Sequence, residues 1–157
     1  ILVDNREQDT PRSRSRYAQF GVPYERTTIH TGDYSAKFLL PDGSGWYDMS
    51  NDIVVERKRN LDEICGNFTV ERERFEREFI RAKAYGTKVF LIIENATWSD
   101  IFLGNYRSKV STKSLVGSLL SWMARYNITV LFCKPEETAK IIYGIFYYYV
   151  KGRLLYG

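Results

Sequence analysis

The chain has 157 residues, of which 44% are hydrophobic and 27% are charged, with a net charge of +4. This composition is that of an ordinary globular protein, it excludes fibrous and disordered classes, and the length predicts one domain over residues 1–157. No apolar stretch is long enough to span a bilayer, no signal peptide is visible, and the two cysteines form neither a disulfide framework nor a zinc site. We therefore expect an intracellular protein, cytoplasmic in a prokaryote or phage and nuclear in a eukaryote.

The first third of the chain is predicted to contain three strands. The first covers Ile1–Glu7, the second runs from about Tyr24 to His30, and an arginine-rich helix or loop connects them. The third, Ile53–Lys58, is rich in β-branched residues. The turn residues Pro41–Gly45 suit an antiparallel hairpin that leads into this third strand.

The remaining residues are predicted to form helices around two further apolar strands. The helices lie at about 61–65, 69–85, 98–103, 114–126 and 135–155, and the strands at 88–94 and 128–133. Strands that alternate with helices predict an α/β fold, a sandwich with a mixed central sheet.

The third strand carries the clearest chemical signal. Side chains alternate along a strand, so Glu56 and Lys58 point to one face and Arg57 to the other. Another carboxylate, Asp33, follows Gly32 upstream. Two carboxylates can hold a hard divalent ion, Mg²⁺ or Mn²⁺, and a lysine can stabilise charge on a phosphodiester. In the simpler interpretation, Asp33 makes a turn, Glu56 pairs with an arginine and Lys58 is exposed to solvent.

Two segments, Gly32-Asp33-Tyr34 and Glu56-Arg57-Lys58 with Asp62, resemble the XPF-type structure-specific endonuclease family and its signature GDY…ERKxxxD. The segment Val3-Asp4-x-Arg6-Glu7 looks like the opening strand of that family, and 89–94 and 128–133 look like its later strands. The resemblance covers nearly the whole chain. It implies a nuclease domain with a restriction-endonuclease-like α/β/α sandwich.

The resemblance also implies roles for individual residues. The candidate catalytic residues are Asp4, Glu7, Asp33, Glu56 and Lys58. The implied metal ligands are Asp33, Glu56, Asp4 and the backbone carbonyl of Arg57. Asp4 and Glu7 lie an odd number of residues apart, so one of them must lie beyond the end of the strand. Arg6 and Asp62 are expected to support this set, although Asp62 could equally stabilise only a helix N-terminus.

Two basic segments are candidate DNA-binding surfaces. The first contains Arg12, Arg14 and Arg16, and the second contains Arg107, Lys109 and Lys113. Such residues can bind phosphates, but they can equally form solvated loops, and the sequence leaves both interpretations open. The single histidine, His30, excludes zinc centres that need several histidines.

The last helix is apolar on most of its faces, with Ile141, Ile145, Tyr148 and Tyr149 at helical spacings. A partner surface would cover what the core does not, and the resemblance implies pairing through late helices. We therefore expect a homodimer or a heterodimer.

The function expected from the sequence is that of a metal-dependent endonuclease that cleaves branched or flapped DNA in repair or recombination. A Holliday-junction resolvase or nickase on the same fold is an alternative within enzymes. A catalytically silent DNA-binding subunit is an alternative outside them. Relatives commonly carry a helix-hairpin-helix module after the nuclease domain, and this chain shows none, which leaves the preferred DNA structure open.

Overall fold

The computed structural model describes residues 1–157 and contains eight β-strands. They are β1 (Leu2–Asp4), β2 (Glu25–Thr27), β3 (Tyr34–Ser35), β4 (Lys37–Leu39), β5 (Trp46–Asp48), β6 (Ile53–Lys58), β7 (Lys88–Glu94) and β8 (Ile128–Cys133). Six of them form one sheet in the order β2-β1-β3-β6-β7-β8, while β4 and β5 form a separate hairpin. Within the sheet β1–β3 and β3–β6 are antiparallel and the other pairs are parallel, which confirms the predicted mixed sheet.

Six α-helices and one 3₁₀ turn connect the strands. The helices are α1 (Pro11–Ala18), α2 (Leu61–Thr69), α3 (Arg72–Ala84), α4 (Trp98–Leu103), α5 (Thr112–Arg125) and α6 (Thr138–Tyr156), with the 3₁₀ turn at Pro135–Glu137. Most helices begin where a side chain accepts a hydrogen bond from a free backbone N–H, as Asn60 does from Glu63 before α2. None of the helices combines the length and the apolar character needed to cross a membrane.

Each face of the sheet packs on its own hydrophobic cluster. Because neighbouring strand residues point to opposite faces, Leu2 and Val54 belong to the cluster under α2, α3 and α5, whereas Val3 and Val55 belong to the cluster under α1 and α6. The fully buried Trp122 of α5 belongs to the first cluster, and the centre of its ring lies 4.3 Å from the centre of the Phe68 ring. Burial of apolar surface on both faces holds the layers together and confirms the predicted α/β/α sandwich.

Two predicted strands are shorter than expected, for a local reason. β1 ends at Asp4, since the Glu7 N–H turns back to donate to the Asp4 carbonyl (3.0 Å). β2 ends at Thr27 instead of His30, since the backbone of Ile29 bonds to side chains: its N–H donates to Asp4 Oδ1 (2.9 Å) and its carbonyl accepts from Arg6 (3.0 Å). Asp33 therefore lies immediately before β3 and does not extend β2. Side-chain hydrogen bonds of this kind leave no periodic signal in the sequence.

Gly32 lets β3 approach β6 closely. Its φ of +85° lies in the left-handed region, and a Cβ at this position would lie 3.0 Å from Val54 Cβ and 3.2 Å from the Val55 backbone oxygen. The next residue, Asp33, donates its N–H to that same Val55 oxygen (2.8 Å). The glycine of the Gly-Asp-Tyr segment is thus required by both backbone conformation and space.

We expect Gly32→Ala to destabilise the protein more than Gly43→Ala does. Gly43 also has a positive φ (+73°), but a Cβ there meets nothing within 4 Å. Gly43→Ala, the control, should lower the free energy of unfolding by about 1–2 kcal/mol, because alanine is strained in the left-handed region. Gly32→Ala should lower it by about 1–3 kcal/mol more, because its Cβ also clashes with Val54. Urea unfolding followed by circular dichroism measures both, and equal losses would show that the contact with Val54 is unimportant.

Candidate active site

Three carboxylates lie in one row across three adjacent strands. Val3 pairs with Tyr34, and Tyr34 pairs with Val55. One residue further along these antiparallel pairs, Asp4 lies opposite Asp33 and Asp33 lies opposite Glu56, and the Asp4 N–H donates to the Asp33 carbonyl (2.9 Å). All three side chains belong to the face covered by α2 and α3, because their neighbours on the strands belong to the opposite cluster. The sheet therefore brings together residues that are far apart in the sequence.

Asp33 and Glu56 repel each other in a poorly solvated place. Desolvation, followed by the charges of Glu56 and Glu7, raises the pKa of Asp33 well above its usual value. Desolvation also raises the pKa of Glu56, although the nearby Lys58 opposes the shift. The Asp33 carboxylate accepts one strong hydrogen bond, from the backbone N–H of Arg57 (2.8 Å). A site where two carboxylates lose solvation and face each other favours the binding of a cation.

Lys58 lies beside Glu56, as the alternation of side chains predicted. Its Nζ is 3.2 Å from Glu56 Oε1 and 4.0 Å from Glu63 Oε1, and the residue is only 6% exposed. The ammonium also lies 4.6 Å from the centre of the Phe75 ring. The interpretation of Lys58 as a solvent-exposed residue at a strand end is therefore wrong. Packing holds the cation at the carboxylate row.

Asp4 is held differently from the other two carboxylates. It is 1% exposed, Oδ1 accepts from the Ile29 N–H, and Oδ2 accepts from the Arg6 backbone N–H (3.2 Å) and from Arg6 Nε (2.5 Å). Both oxygens therefore have protein partners. The Arg6 side chain is 61% exposed, and its pKa is raised, first by the hydrogen bond with Asp4. Asp4 thus orients Arg6 at the edge of the site.

The odd spacing of Asp4 and Glu7 required one of them to lie beyond the strand end, and it is Glu7, which joins a different cluster. Its carboxylate accepts from the hydroxyl of Tyr34 (3.2 Å) and lies 3.8 Å from Arg16, which in turn donates to that hydroxyl (2.9 Å). Tyr34 packs with Val3 and Val55, on the face opposite to Glu56. The structure therefore places Glu7 next to the site but does not bring it into the row of Asp4, Asp33 and Glu56.

Arg57 points away from Glu56, also as predicted. Its guanidinium makes two hydrogen bonds to Glu94 at the end of β7 (2.9 and 2.7 Å), and Glu94 also accepts from the Thr138 hydroxyl at the start of α6. Burial alone would raise the pKa of Glu94, but the bonds from Arg57 and Thr138 lower it overall. Because the N–H and C=O of a strand residue face the same neighbouring strand, the Arg57 carbonyl faces β3 and Asp33.

Sequence reasoning missed two acidic residues. Glu94 was included only as the end of a strand, yet a charged residue that closes an apolar run signals a buried partner. Glu78 of α3 lies near the site, since its charge raises the pKa of both Glu56 and Arg6. It follows the buried Phe75 by three residues, a spacing that puts both on one side of the helix and was readable from the sequence.

The two basic segments are placed differently from each other. In the first, Arg12 is exposed and Arg14 pairs with Asp9, whereas the Arg16 side chain is only 10% exposed and is bound to Tyr34 and Glu7. Arg16 is therefore part of the interior. In the second segment the three basic residues are exposed, and Asp62 holds the loop by accepting from the backbone N–H groups of residues 107 and 108. Asn60 caps α2, so Asp62 is not the N-cap.

Two side chains of the carboxylate row, Asp33 and Glu56, have donor atoms that suit a hard divalent cation. No group of three or more His, Cys, Asp or Glu side chains lies close enough together to hold a metal ion, because the carboxylate of Asp4 is turned to Arg6 and Ile29. Asp33 and Glu56 remain, with the Arg57 carbonyl on the side of its strand that faces β3. All of these donors are oxygens, which Mg²⁺ and Mn²⁺ prefer. A cavity of about 870 Å³ lies elsewhere, between α6 and β2.

The chain was compared with known families and structures. The family model described as the ERCC4 domain matches residues 3–145. The fold is similar to two solved structures of XPF from Aeropyrum pernix, the second in complex with DNA, at TM-scores of 0.63 and 0.64 and 22% identity in both. They cover 94% and 96% of this chain, which spans only 59% and 64% of theirs. No curated protein sequence matches.

We expect Asp33→Asn to stabilise the metal-free protein at neutral pH. The pKa of Asp33 is raised in the native state, so the native state binds a proton more tightly than the unfolded state does. The stability of the wild type therefore falls as the pH rises from the unfolded pKa through the folded pKa. Asparagine does not titrate and keeps an oxygen for the Arg57 N–H. The advantage of the variant should thus be small in acid and grow towards neutral pH.

Urea unfolding in the presence of a chelator, at several pH values, measures this difference. Asp42→Asn is the matched control, because hydrogen bonds from Ser44 lower the pKa of Asp42 and the sign is reversed. That variant should lose stability relative to the wild type as the pH rises. If Asp33→Asn has no advantage at neutral pH, the two carboxylates do not repel each other as described.

Proposed function

Since this chain belongs to the ERCC4 domain family, an XPF-type family of structure-specific DNA endonucleases, we propose that it is a metal-dependent endonuclease that hydrolyses phosphodiester bonds near flaps, forks or branched junctions. The observation that carries this proposal is the placement of Asp33, Glu56 and Lys58 on one face of the sheet. Two carboxylates and a lysine at one point are the groups that metal-assisted phosphodiester hydrolysis needs.

Asp33, Glu56 and the Arg57 carbonyl would hold Mg²⁺ or Mn²⁺, which supplies Lewis-acid activation of water and of a phosphoryl oxygen. The two side chains contribute the negative charge, and the hydrogen bond from the Arg57 N–H orients the Asp33 carboxylate. The ion pair of Arg57 with Glu94 anchors the strand from its other face. Within the Glu-Arg-Lys segment, Glu56 is thus proposed to bind the metal, whereas the Arg57 side chain holds the strand in place.

Lys58 is proposed to donate a hydrogen bond to the phosphoryl oxygens as negative charge develops there. An ammonium has three N–H donors, and Glu56 is its one carboxylate partner within normal hydrogen-bonding distance. Because Phe75 and Glu56 hold it in place before the reaction, little reorganisation is needed. Arg6, oriented by Asp4 at the edge of the row, is proposed to bind an adjacent phosphate.

DNA is the proposed substrate. The XPF from Aeropyrum pernix has been solved in complex with DNA, and the fold of that protein is similar to the one described here. Exposed basic residues of two separate segments support the same ligand. They are Arg12 and Arg14 on α1, and Arg107, Lys109 and Lys113 before and within the first turn of α5.

We predict that Asp33→Asn and Glu56→Gln each abolish cleavage, because each removes a negative charge from the metal site while keeping the shape of the side chain. Lys58→Ala should reduce turnover by about a hundredfold, as expected for the loss of one transition-state donor. It should weaken Mn²⁺ binding less than Glu56→Gln does. DNA affinity should stay close to that of the wild type in all three. Turnover of labelled DNA and isothermal titration with Mn²⁺ measure these effects.

The preferred DNA structure is tested with a panel of labelled substrates. It contains flap, fork, four-way and plain duplex DNA, and each is incubated with Mg²⁺ and with a chelator. Preferred cleavage of the four-way junction would favour a resolvase. Binding without cleavage of any substrate would favour a silent subunit. Near wild-type cleavage by Asp33→Asn or Glu56→Gln would refute the assignment of the metal ligands.

We also propose that the protein forms a dimer through α6. Ile142 and Phe146 of this helix are buried in the core, whereas Tyr147 and Tyr148 are 47% and 67% exposed. Two apolar clefts flank α6, one of about 870 Å³ towards β2 and one of about 400 Å³ towards Phe90 of β7. Contiguous exposed apolar surface is a usual feature of protein interfaces. Ile145 and Tyr149 are partly buried against the core, so Tyr148 is the better site for a test.

We expect Tyr148→Glu to convert a dimer into a monomer, because a carboxylate in a desolvated interface is costly. Lys140→Glu is the matched control, since Lys140 is an exposed residue near the start of the same helix. Light scattering at micromolar concentration reports the mass, and circular dichroism confirms the fold. A wild type that is monomeric and still cleaves DNA would refute the dimer.

A further inference from the structure

Asp62 connects two parts of the chain that are 45 residues apart. Its Oδ1 accepts two backbone hydrogen bonds, from Arg107 N–H (2.9 Å) and from Ser108 N–H (2.7 Å). The first turn of α2 therefore holds the middle of the segment 104–113, which connects α4 to α5 and includes the first two residues of α5. We call this segment the 104–113 loop.

The rest of the 104–113 loop is ordered by its own contacts. The Tyr106 hydroxyl donates to the Val110 carbonyl (2.7 Å), the Val110 N–H donates to Ser108 Oγ (3.2 Å), and the rings and methyl groups of Tyr106 and Val110 pack on the core. Both ends are thus anchored. Between them, Arg107 and Lys109 project as exposed cations. Asp62 is the partner from outside the loop, and it accepts from the backbone N–H groups of Arg107 and Ser108.

The loop lies at the same edge of the sheet as the site. Asp62 follows Lys58 by four residues, through the turn that leads from β6 into α2. The neighbouring Glu63 reaches back to Lys58 (4.0 Å) and to Arg59 (3.2 Å). Glu63 thus contacts the site, whereas the Asp62 carboxylate contacts the backbone amides of the loop.

We propose that Asp62 is a positioning residue for DNA binding: it fixes the 104–113 loop so that Arg107 and Lys109 bind backbone phosphates of the DNA that lies across the site. This inference rests on the proposed function. It assigns the aspartate of the Glu-Arg-Lys-x-x-x-Asp segment to substrate binding, with no part in the metal site. A carboxylate oxygen that accepts two amides holds a loop rigidly, and a rigid loop loses less entropy when it binds a phosphate.

The test compares Asp62→Ala with Asp62→Asn. Asparagine keeps one oxygen that can accept both amides, whereas alanine keeps none. Asp62→Ala should weaken the binding of duplex DNA roughly tenfold and lower the slope of log K against log salt by about 2, which corresponds to two lost phosphate contacts. Asp62→Asn should stay within about twofold of the wild type. Fluorescence anisotropy over a series of salt concentrations measures both values.

Two further measurements separate positioning from other roles. Amide exchange at Arg107 and Ser108 should accelerate in Asp62→Ala, and Mn²⁺ affinity should not change in either variant. In an Arg107→Ala/Lys109→Ala background, Asp62→Ala should cause no additional loss of DNA affinity. Glu73→Ala, which removes the same charge from an exposed position on α3, is the control for net charge.

The outcomes are distinct. A wild type that binds no DNA would overturn the proposed function and this inference with it. A wild type that binds and cleaves DNA, with unchanged affinity or unchanged amide exchange in Asp62→Ala, would overturn this inference alone. Weakened Mn²⁺ binding in Asp62→Asn would instead return Asp62 to the metal site.

Discussion

The antiparallel pairing of β3 with β6 is the contact on which the site depends. It is short, since Tyr34 and Val55 are the one bridged pair, and it is closed by the Asp33 N–H and the Arg57 N–H. A shift of one residue would move Asp33 to the opposite face and away from Glu56. The absence of a side chain at Gly32 permits the close approach that holds this register.

The two faces of β6 carry residues with different roles: the residues proposed for catalysis lie on one face, and the arginine that holds the strand in place lies on the other. Glu56 and Lys58 face α2 and α3, where Phe75 limits the movement of the lysine. Arg57 points to the other face, where Glu94 binds its guanidinium and the Thr138 hydroxyl at the start of α6 donates to Glu94. A paired buried guanidinium resists rotation of the strand, because any rotation would leave Glu94 charged and without a partner. The start of the proposed dimer helix is thereby linked to the strand that carries the site.

The electrostatics of the site oppose its stability. Asp33 and Glu56 both have raised pKa values, so the folded chain holds two carboxylates where it would hold neutral groups more easily. The hydrophobic clusters on both faces of the sheet compensate, and neighbouring polar groups are paired in the usual way: Asp4 with Arg6, and Glu7 with Tyr34 and Arg16. Functional sites commonly carry such local conflicts.

The sequence by itself determined the fold class, most elements and the face on which each residue of Ile53–Lys58 lies, because these follow from hydrophobic period and from strand alternation. It also determined that one of Asp4 and Glu7 lies beyond the end of β1, and the structure shows that it is Glu7. The tertiary structure decided what each charged group contacts. It turned Asp4 to Arg6 and Ile29, buried Arg16 against Tyr34, brought Glu78 near Glu56 and joined Asp62 to a loop 45 residues away. Long-range partners depend on strand order and helix packing, and no local pattern in a single sequence encodes them.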